Sequence, residues 1–309
     1  MIDRESPAAK VAVIGLGSMG YGMASSLERA GFDVAAFDVR ADTVARFVAE
    51  HADRPRPAKS PAEAVAGAEV VFIVVVNADQ TAEVLSGSGG VLEGAAPGAV
   101  AISCATMAPE RVRSLARDVA ARGLLFLDAP ISGGAQKAQE GALTVLASGA
   151  PAAFAAAGPA LSAIAAKLYR LGDEPGIGAS FKIINQLLAG VHIAAACEAV
   201  ALACRLGLDL AKVYEVITAS AGNSWMFANR VPHILEGDYA PRSAVSIFTK
   251  DLGIVADIAR NESFPAPVAS VALQMFLMTA AAGMAHDDDS SVARLFAKIA
   301  GLELPKRKV

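Results

Sequence analysis

The chain has 309 residues, of which 54% are hydrophobic and 19% charged, with a formal net charge of −4. So apolar a composition marks a globular rather than a disordered protein, and the length suggests two domains. The mild acidity, with no Lys/Arg cluster among aromatics, excludes a basic footprint for nucleic acid.

Residues 1–7 are polar and contain no apolar stretch of a signal peptide, so a cytoplasmic location is expected. Val11-Ala-Val-Ile14 is then an apolar, partly β-branched run, the pattern of a buried parallel strand. It turns through Gly15-x-Gly17-x-x-Gly20 into a helix over 23–30, which Gly31 ends, and a second strand over 33–37 leads to Asp38. Strand before and helix after make this glycine pattern a dinucleotide fingerprint. Gly15 permits the tight turn, Gly17 lets the backbone approach a pyrophosphate, and Gly20 lets the helix pack on its strand. Leu16, Ser18 and Met19 complete the loop, and the helix N-terminus supplies N–H groups to the phosphates. Asp38 stands about 20 residues on, where a carboxylate holds the ribose hydroxyls and repels a 2′-phosphate. NAD is therefore the expected cofactor, with Arg40 the one feature that favours NADP.

Further α/β units follow. A helix is expected over 61–68 and a buried strand over 69–76. That strand ends in a polar loop, Asn77-Ala-Asp-Gln80, which places Val76 and Asn77 where strand ends meet the cofactor. A strand over 99–103 leads to Thr106, and an amphipathic helix covers 109–122. The strand over 124–128 runs into Ala129-Pro-Ile-Ser-Gly-Gly134, a turn whose unhindered N–H groups either bind a carboxylate or simply form a loop. Strands over 143–148 and 166–171 flank a helix over 151–165.

After Gly172-Asp-Glu-Pro-Gly176 the pattern becomes helical throughout: 180–206, 209–220, 226–235, 246–261, 267–282 and 291–300, with Asp209 and Ser246 as N-caps. This shift marks a domain boundary. The expected architecture is an α/β Rossmann-type domain over 1–173 and an all-α domain over 174–309, joined by a long interdomain helix. The apolar runs 187–204 and 270–285 read as buried helices rather than membrane spans, since the first carries His192 and Glu198 and the second is short. His192 itself reads as a core histidine. The large apolar face of this half points to a homo-oligomer, dimer or tetramer. Cys104, Cys197 and Cys204 have no CxxC spacing and no paired histidines, so no disulfide and no metal site are expected.

Lys182 lies in the most apolar helix, with Asn185 three residues on along the same face and Gln186 beside it. Such a lysine either snorkels to solvent or belongs to a site. Lys250-Asp251 is a charged pair in another apolar helix, structural or functional. An NAD domain, a carboxylate-binding turn and a lysine at the head of the joining helix together suggest hydride transfer from a hydroxy acid. The hydroxyl proton must leave as the hydride moves, and a lysine in an apolar pocket near other cations is a base near neutral pH. Asn185 and Gln186 then orient substrate oxygens, while Ser132, Gly133 and Gly134 hold the carboxylate.

Four stretches, in order, are Gly15-Leu-Gly-Ser-Met-Gly20, Asp128-Ala-Pro-Ile-Ser-Gly-Gly134, Gly178-x-x-x-Lys182-x-x-Asn185-Gln186 and Lys250-Asp251-Leu252. In these the chain resembles the β-hydroxyacid dehydrogenase family, related to 3-hydroxyisobutyrate dehydrogenase, over essentially its full length. The resemblance implies that Lys182 is catalytic, and that Ser132, Gly133, Gly134 and Asn185 contact substrate; Gln186, beside Asn185, and Asp251 are expected at the substrate too. It implies further that Thr106 and Lys250 lie at the nicotinamide end. Asn185-Gln-Leu-Leu-Ala-Gly-Val-His-Ile-Ala-Ala194, Ser220-Ala-Gly-Asn-Ser-Trp-Met-Phe227 and Asn229-Arg-Val-Pro-His233 resemble a branch that oxidises a four-carbon polyhydroxy acid with NAD. Val76-Asn77-Ala78 departs from the family's commoner Leu-Pro loop. A polyhydroxy acid suits Asn185, Gln186, His192, Asn223 and Ser224, since each buried polar group left unpaired costs about 1–3 kcal/mol. The alternatives are a reductase of small semialdehydes using NAD(P)H, a dehydrogenase of 3-hydroxyisobutyrate, and a nucleotide-binding scaffold without chemistry.

Overall fold

The computed structural model describes residues 9–51 and 56–307; the polar stretch 1–7 lies outside them. The chain divides into two compact units, Met1–Lys182 and Ile183–Val309.

The first unit is built on six parallel strands: β1 (Lys10–Ile14), β2 (Asp33–Phe37), β3 (Arg56–Pro57), β4 (Val70–Ile73), β5 (Val100–Ser103) and β6 (Leu125–Asp128), in the order β3-β2-β1-β4-β5-β6. Helices α1 (Gly20–Arg29), α2 (Ala41–Glu50), α3 (Pro61–Val65), α4 (Ala78–Ser86), α5 (Val91–Gly94) and α6 (Pro109–Ala120) connect them. β1, β4 and β5 bury both faces, which is why each reads as an unbroken apolar run. Alternate residues serve opposite cores: Val11 and Val13 join Leu27 and Phe72, whereas Ala12 and Ile14 join Val71 and Val119. The strand order reverses between β1 and β4, so the crevice at their carboxyl ends is the topological switch point of the sheet.

A second, three-stranded sheet follows, made of β7 (Ile131–Ser132), β8 (Leu143–Ala147) and β9 (Ala165–Arg170), with α7 (Gly134–Glu140) and α8 (Pro151–Ile164). A two-way bridge ties the sheets: Asp128 N donates to Ser148 O (3.0 Å) and Ser148 N to Asp128 O (2.8 Å). From this junction the chain enters α9 (Ile177–Arg205), a helix of 29 residues that continues through the division between the units. It begins three residues earlier than the periodicity predicts, which puts Lys182 in its second turn.

The second unit continues with α10 (Leu210–Thr218), α11 (Trp225–Glu236), α12 (Val245–Asn261), α13 (Pro267–Thr279) and α14 (Val292–Ala300). Ile193, Cys197 and Val200 of α9 pack with Phe227, Ile234, Phe248, Phe276 and Val292, and the Phe248 and Phe276 rings stack 5.0 Å apart. By length and composition Ile177–Arg205 and Pro267–Met284 could each cross a membrane; the apolarity of α9 has a use in this core, to which it gives seven buried residues.

Several local expectations need correction. Asn77 to Gln80 is not a loop: Asn77 caps α4, its side chain accepting from Gln80 N at 2.8 Å. The residues that cap helices are the same polar ones that fill loops. Asp209 does cap α10, but Ser246 sits inside the first turn of α12. There Val245 N and Ser246 N donate to the Asp287 and Ala285 carbonyls, so no side-chain cap is needed. His192 is only half-buried; the core histidine is His233, whose Nδ1 lies 2.9 Å from Asp288 Oδ1.

Beside it, Arg230 forks onto Asp289, Nε to Oδ1 at 2.6 Å and Nη2 to Oδ2 at 3.0 Å, with the carboxylate fully buried. Burial alone would raise the neighbouring Asp288 carboxyl, but hydrogen bonds from His233 and Ser290 hold it down to about 2. Its stabilising contribution is therefore complete above about pH 4 and is lost as the pH falls through about 2. Asp289→Ala strands the Arg230 guanidinium in the interior, which costs about 3–5 kcal/mol. Thermal unfolding followed by circular dichroism is expected to show a clearly earlier transition, and a melting curve like that of the parent would contradict the assignment.

Candidate active site

The nucleotide end is built from backbone. Gly15 has φ +96°, and a Cβ there would collide with the Val74 carbonyl; a Cβ on Gly20 would collide with the Gly15 carbonyl. Only glycine permits this loop. At Gly17 a Cβ would meet nothing within 4 Å, so the loop's outer side is open. α1 has no side-chain cap and no acidic residue in its first turn, which leaves its N-terminal N–H groups for an anion. These features fit a dinucleotide pyrophosphate.

Asp38 ends β2 and ties the loop down. Its Oδ2 accepts from Leu16 N at 2.7 Å, and its Oδ1 from Arg40 N at 2.9 Å and Arg40 Nε at 3.3 Å. Arg40 is thereby drawn onto the carboxylate. Beside it opens a cavity of about 780 Å³ walled by Asp38, Val39, Val44, Val48, Pro57 and Lys59, apolar enough for a flat heterocycle. Val76 and Asn77 follow β4, with Val76 N donating to Gln80 Oε1 at 2.9 Å, and Thr106 follows β5. Fingerprint, Asp38, Val76, Asn77 and Thr106 therefore all stand at the carboxyl edge of one sheet.

The lysine end depends on how α9 begins. Asp128 Oδ2 accepts from Gly176 N (3.0 Å), Ala179 N (2.7 Å) and Ser148 Oγ (3.3 Å), while Ser148 Oγ accepts from Gly178 N (2.9 Å). Burial pushes the Asp128 carboxyl up to about 6, against the pull of these hydrogen bonds. Three residues beyond Asp128, the Ile131 carbonyl accepts from Lys182 Nζ at 2.9 Å. Lys182 is 7% exposed, so it does not snorkel. Ile131 directly precedes Ser132, Gly133 and Gly134, whose glycines take φ +141° and +81° before α7. The structure thus brings Lys182 against the Ser-Gly-Gly segment. Asp128 heads the Asp128-Ala-Pro-Ile-Ser-Gly-Gly134 stretch, but nothing local signals its capping role or that of Ser148, because the N–H groups they accept from lie 30 to 51 residues away.

In the second unit the remaining residues form one polar chain. Asn185 Nδ2 donates to Gln186 Oε1 (2.9 Å), and Gln186 Nε2 to Asp251 Oδ2 (2.5 Å). Lys250 Nζ donates to the other oxygen of Asp251, which is 1% exposed. Asn223 and Ser224 are spent differently from the polar lining expected: Asn223 Nδ2 bonds Thr218 O, and Ser224 caps α11. Among the described residues no group of three or more His, Cys, Asp or Glu could hold a metal ion.

Residues 10–172 match the family described as the NAD binding domain of 6-phosphogluconate dehydrogenase, and residues 176–296 the one described as NAD-binding of NADP-dependent 3-hydroxyisobutyrate dehydrogenase. The chain is 52% identical over 296 residues to L-threonate dehydrogenase of Cupriavidus necator, covering 96% of this chain and 97% of the relative. It is 45% identical over 298 residues to that of Escherichia coli, covering 96% and 97%. A crystal structure of 3-hydroxyisobutyrate dehydrogenase from Salmonella typhimurium superposes with a TM-score of 0.87 at 47% identity, covering 93% of this chain and 99% of that one.

Asp38→Asn removes the charge that would repel a 2′-phosphate and loosens Arg40. The preference for NADH over NADPH, measured by fluorescence titration, is expected to fall by about tenfold or more, the equivalent of one charge-assisted hydrogen bond. An unchanged ratio would show that Asp38 does not read the ribose.

Proposed function

The chain belongs to the β-hydroxyacid dehydrogenase family, and from that membership we propose that it oxidises L-threonate to 2-oxotetronate (2-dehydro-L-erythronate) with NAD. The substrate rests on the 52% identity, over nearly all of both chains, to L-threonate dehydrogenase. The mechanism rests on one contact, Lys182 Nζ held at 2.9 Å by the carbonyl next to the Ser132-Gly-Gly turn.

NAD, when bound, supplies the hydride acceptor. The chain does the rest. The loop of Gly15, Leu16, Gly17, Ser18, Met19 and Gly20 holds the pyrophosphate and Asp38 the ribose, with Val76, Asn77, Thr106 and Lys250 as further cofactor contacts. Ser132, Gly133 and Gly134 hold the substrate carboxylate through backbone N–H groups, which fixes the neighbouring carbon and its hydroxyl. Lys182 takes the hydroxyl proton as the C–H bond breaks. Asn185, Gln186 and Asp251 offer hydrogen-bonding groups to the remaining hydroxyls, and a substrate lacking those hydroxyls forgoes these bonds. The division of labour largely follows the chain: most of the nucleotide binding and the carboxylate-holding turn in 1–173, the base, hydroxyl recognition and assembly in 174–309.

The proposal includes a homo-oligomer, dimer or tetramer. α9 exposes Ile184, Leu188 and Leu202, with Leu206 just beyond its end, and α13 exposes Val268 and Val271, apolar surface at helical spacing that a second copy would cover. Dependence on NAD favours the cytoplasm, where that pool is held.

A second reading, oxidation of 3-hydroxyisobutyrate, is favoured by the activity named for the Salmonella structure. Initial rates of NADH formation from L-threonate, D-erythronate and 3-hydroxyisobutyrate separate the two. L-threonate is expected to give the highest kcat/KM; no NADH from it, with turnover of 3-hydroxyisobutyrate, favours the second. Lys182→Ala is expected to lower kcat by about 10²–10⁴-fold while NADH still binds, and near-parent turnover in this variant would remove Lys182 from the chemistry.

A further inference from the structure

The first turn of any helix leaves N–H groups without a partner, and a side chain just before the helix normally takes them. α9 has no such local residue, since Pro175 and Gly176 precede it. Its first turn is instead satisfied from a distance, by Asp128 at the end of β6 and Ser148 at the end of β8. These two residues face each other in the bridge that joins the two sheets, so the caps are fixed before the helix meets them. The fit is close: a side chain at Gly178 would strike the Leu146 carbonyl and come within 3.0 Å of Asp128 O. The segment that supplies Asp128 also supplies Ile131, whose carbonyl holds Lys182 Nζ. One short stretch therefore grips α9 twice, at Gly176 and Ala179 and again at Lys182.

Two contacts about one turn apart fix both the axial position and the rotation of a helix. Sliding by one residue moves a side chain by about 1.5 Å, and a displacement of about 1 Å at a reacting centre costs on the order of 10²-fold in rate. We propose that Asp128 and Ser148 are positioning residues: by capping α9 from the bridge between the sheets, they set where Lys182 stands against the Ser132-Gly-Gly segment. The inference rests on the reading of Lys182 as the base, and its test separates the two.

Asp128→Ala removes the acceptor. Asp128→Asn keeps one oxygen, which suffices because Oδ2 alone receives all three hydrogen bonds. Ser148→Ala removes the bond to Gly178 and the weaker donation from Ser148 Oγ to Asp128 Oδ2, but leaves the Asp128 bonds to Gly176 and Ala179. Each variant is labelled with an amine-reactive reagent, trinitrobenzenesulfonate, and the rate at Lys182 is followed by peptide mass spectrometry; kcat and the Kd for NADH are measured alongside. Asp128→Ala is expected to label at Lys182 several-fold faster and to lose about tenfold or more in kcat, with NADH affinity kept. Asp128→Asn is expected to restore both towards the parent, and Ser148→Ala to fall between. An unchanged labelling rate in Asp128→Ala and Ser148→Ala overturns the proposal, whatever happens to the melting temperature. If Asp128→Ala does not fold, Ser148→Ala decides by the same criterion. Faster labelling with unchanged kcat leaves the positioning role standing and overturns the catalytic reading of Lys182.

Discussion

A single buried carboxylate, Asp128, takes two backbone N–H groups at the start of α9, and the geometry around Lys182 hangs on that contact. The energetics are finely set. Withdrawing a carboxylate from water costs several kcal/mol, while each hydrogen bond to a charged group returns about 1.5–3 kcal/mol. Two such bonds, with the helix dipole behind them, offset most of the penalty but not all, consistent with a carboxyl pushed up to about 6.

The two ends of the proposed chemistry are made differently. The nucleotide end is backbone shaped by glycine, because a pyrophosphate needs N–H groups at close range and no side chain in the way. The substrate end is side chains on a rigid helix, because proton transfer and hydroxyl recognition need specific groups at fixed spacing. Lys182, Asn185 and Gln186 stand at i, i+3 and i+4 on α9; the Ile131 carbonyl holds Lys182, Asp251 holds Gln186, and Gln186 in turn holds its neighbour Asn185. The second unit repeats the principle in its core, where Asp288 and Asp289 are buried only because His233 and Arg230 meet them.

What could be read from the chain follows the range of the interactions involved. β2 falls where the strand after the fingerprint helix is expected, over 33–37, and the parallel sheet follows from unbroken apolar runs, since burial of both strand faces is a local signal. The fingerprint glycines were legible because their reasons lie within a few residues. Short-range polar chemistry was ambiguous: Asn77 looked like loop and is a cap, whereas Ser246 looked like a cap and is not. β3, α5 and α7 are too short for a periodicity to declare itself, whereas α2, with Val44, Phe47 and Val48 at helical spacing, is legible in the sequence and goes unnamed there. Asp128 and Ser148 were invisible as functional residues, because what makes them matter is a bridge between strands and a helix start some 30 to 50 positions away. An apolar helix does not reveal which of its faces is covered, so His192 reads as a core histidine but is only half-buried, and His233 is the one in the core.

The central claim is that Lys182, so held, removes the hydroxyl proton as hydride leaves the carbon beside the substrate carboxylate. Single-turnover reaction of C2-deuterated L-threonate with NAD, in the parent and in Lys182→Arg, tests it directly. Arginine keeps the positive charge but stays protonated and cannot act as a base. The account predicts deuterium on the reduced nicotinamide in the parent, with a slowed transfer step relative to unlabelled substrate, and transfer in Lys182→Arg slower by about 10²-fold or more. Equal transfer rates in the two proteins, or reduced cofactor free of deuterium, would contradict it.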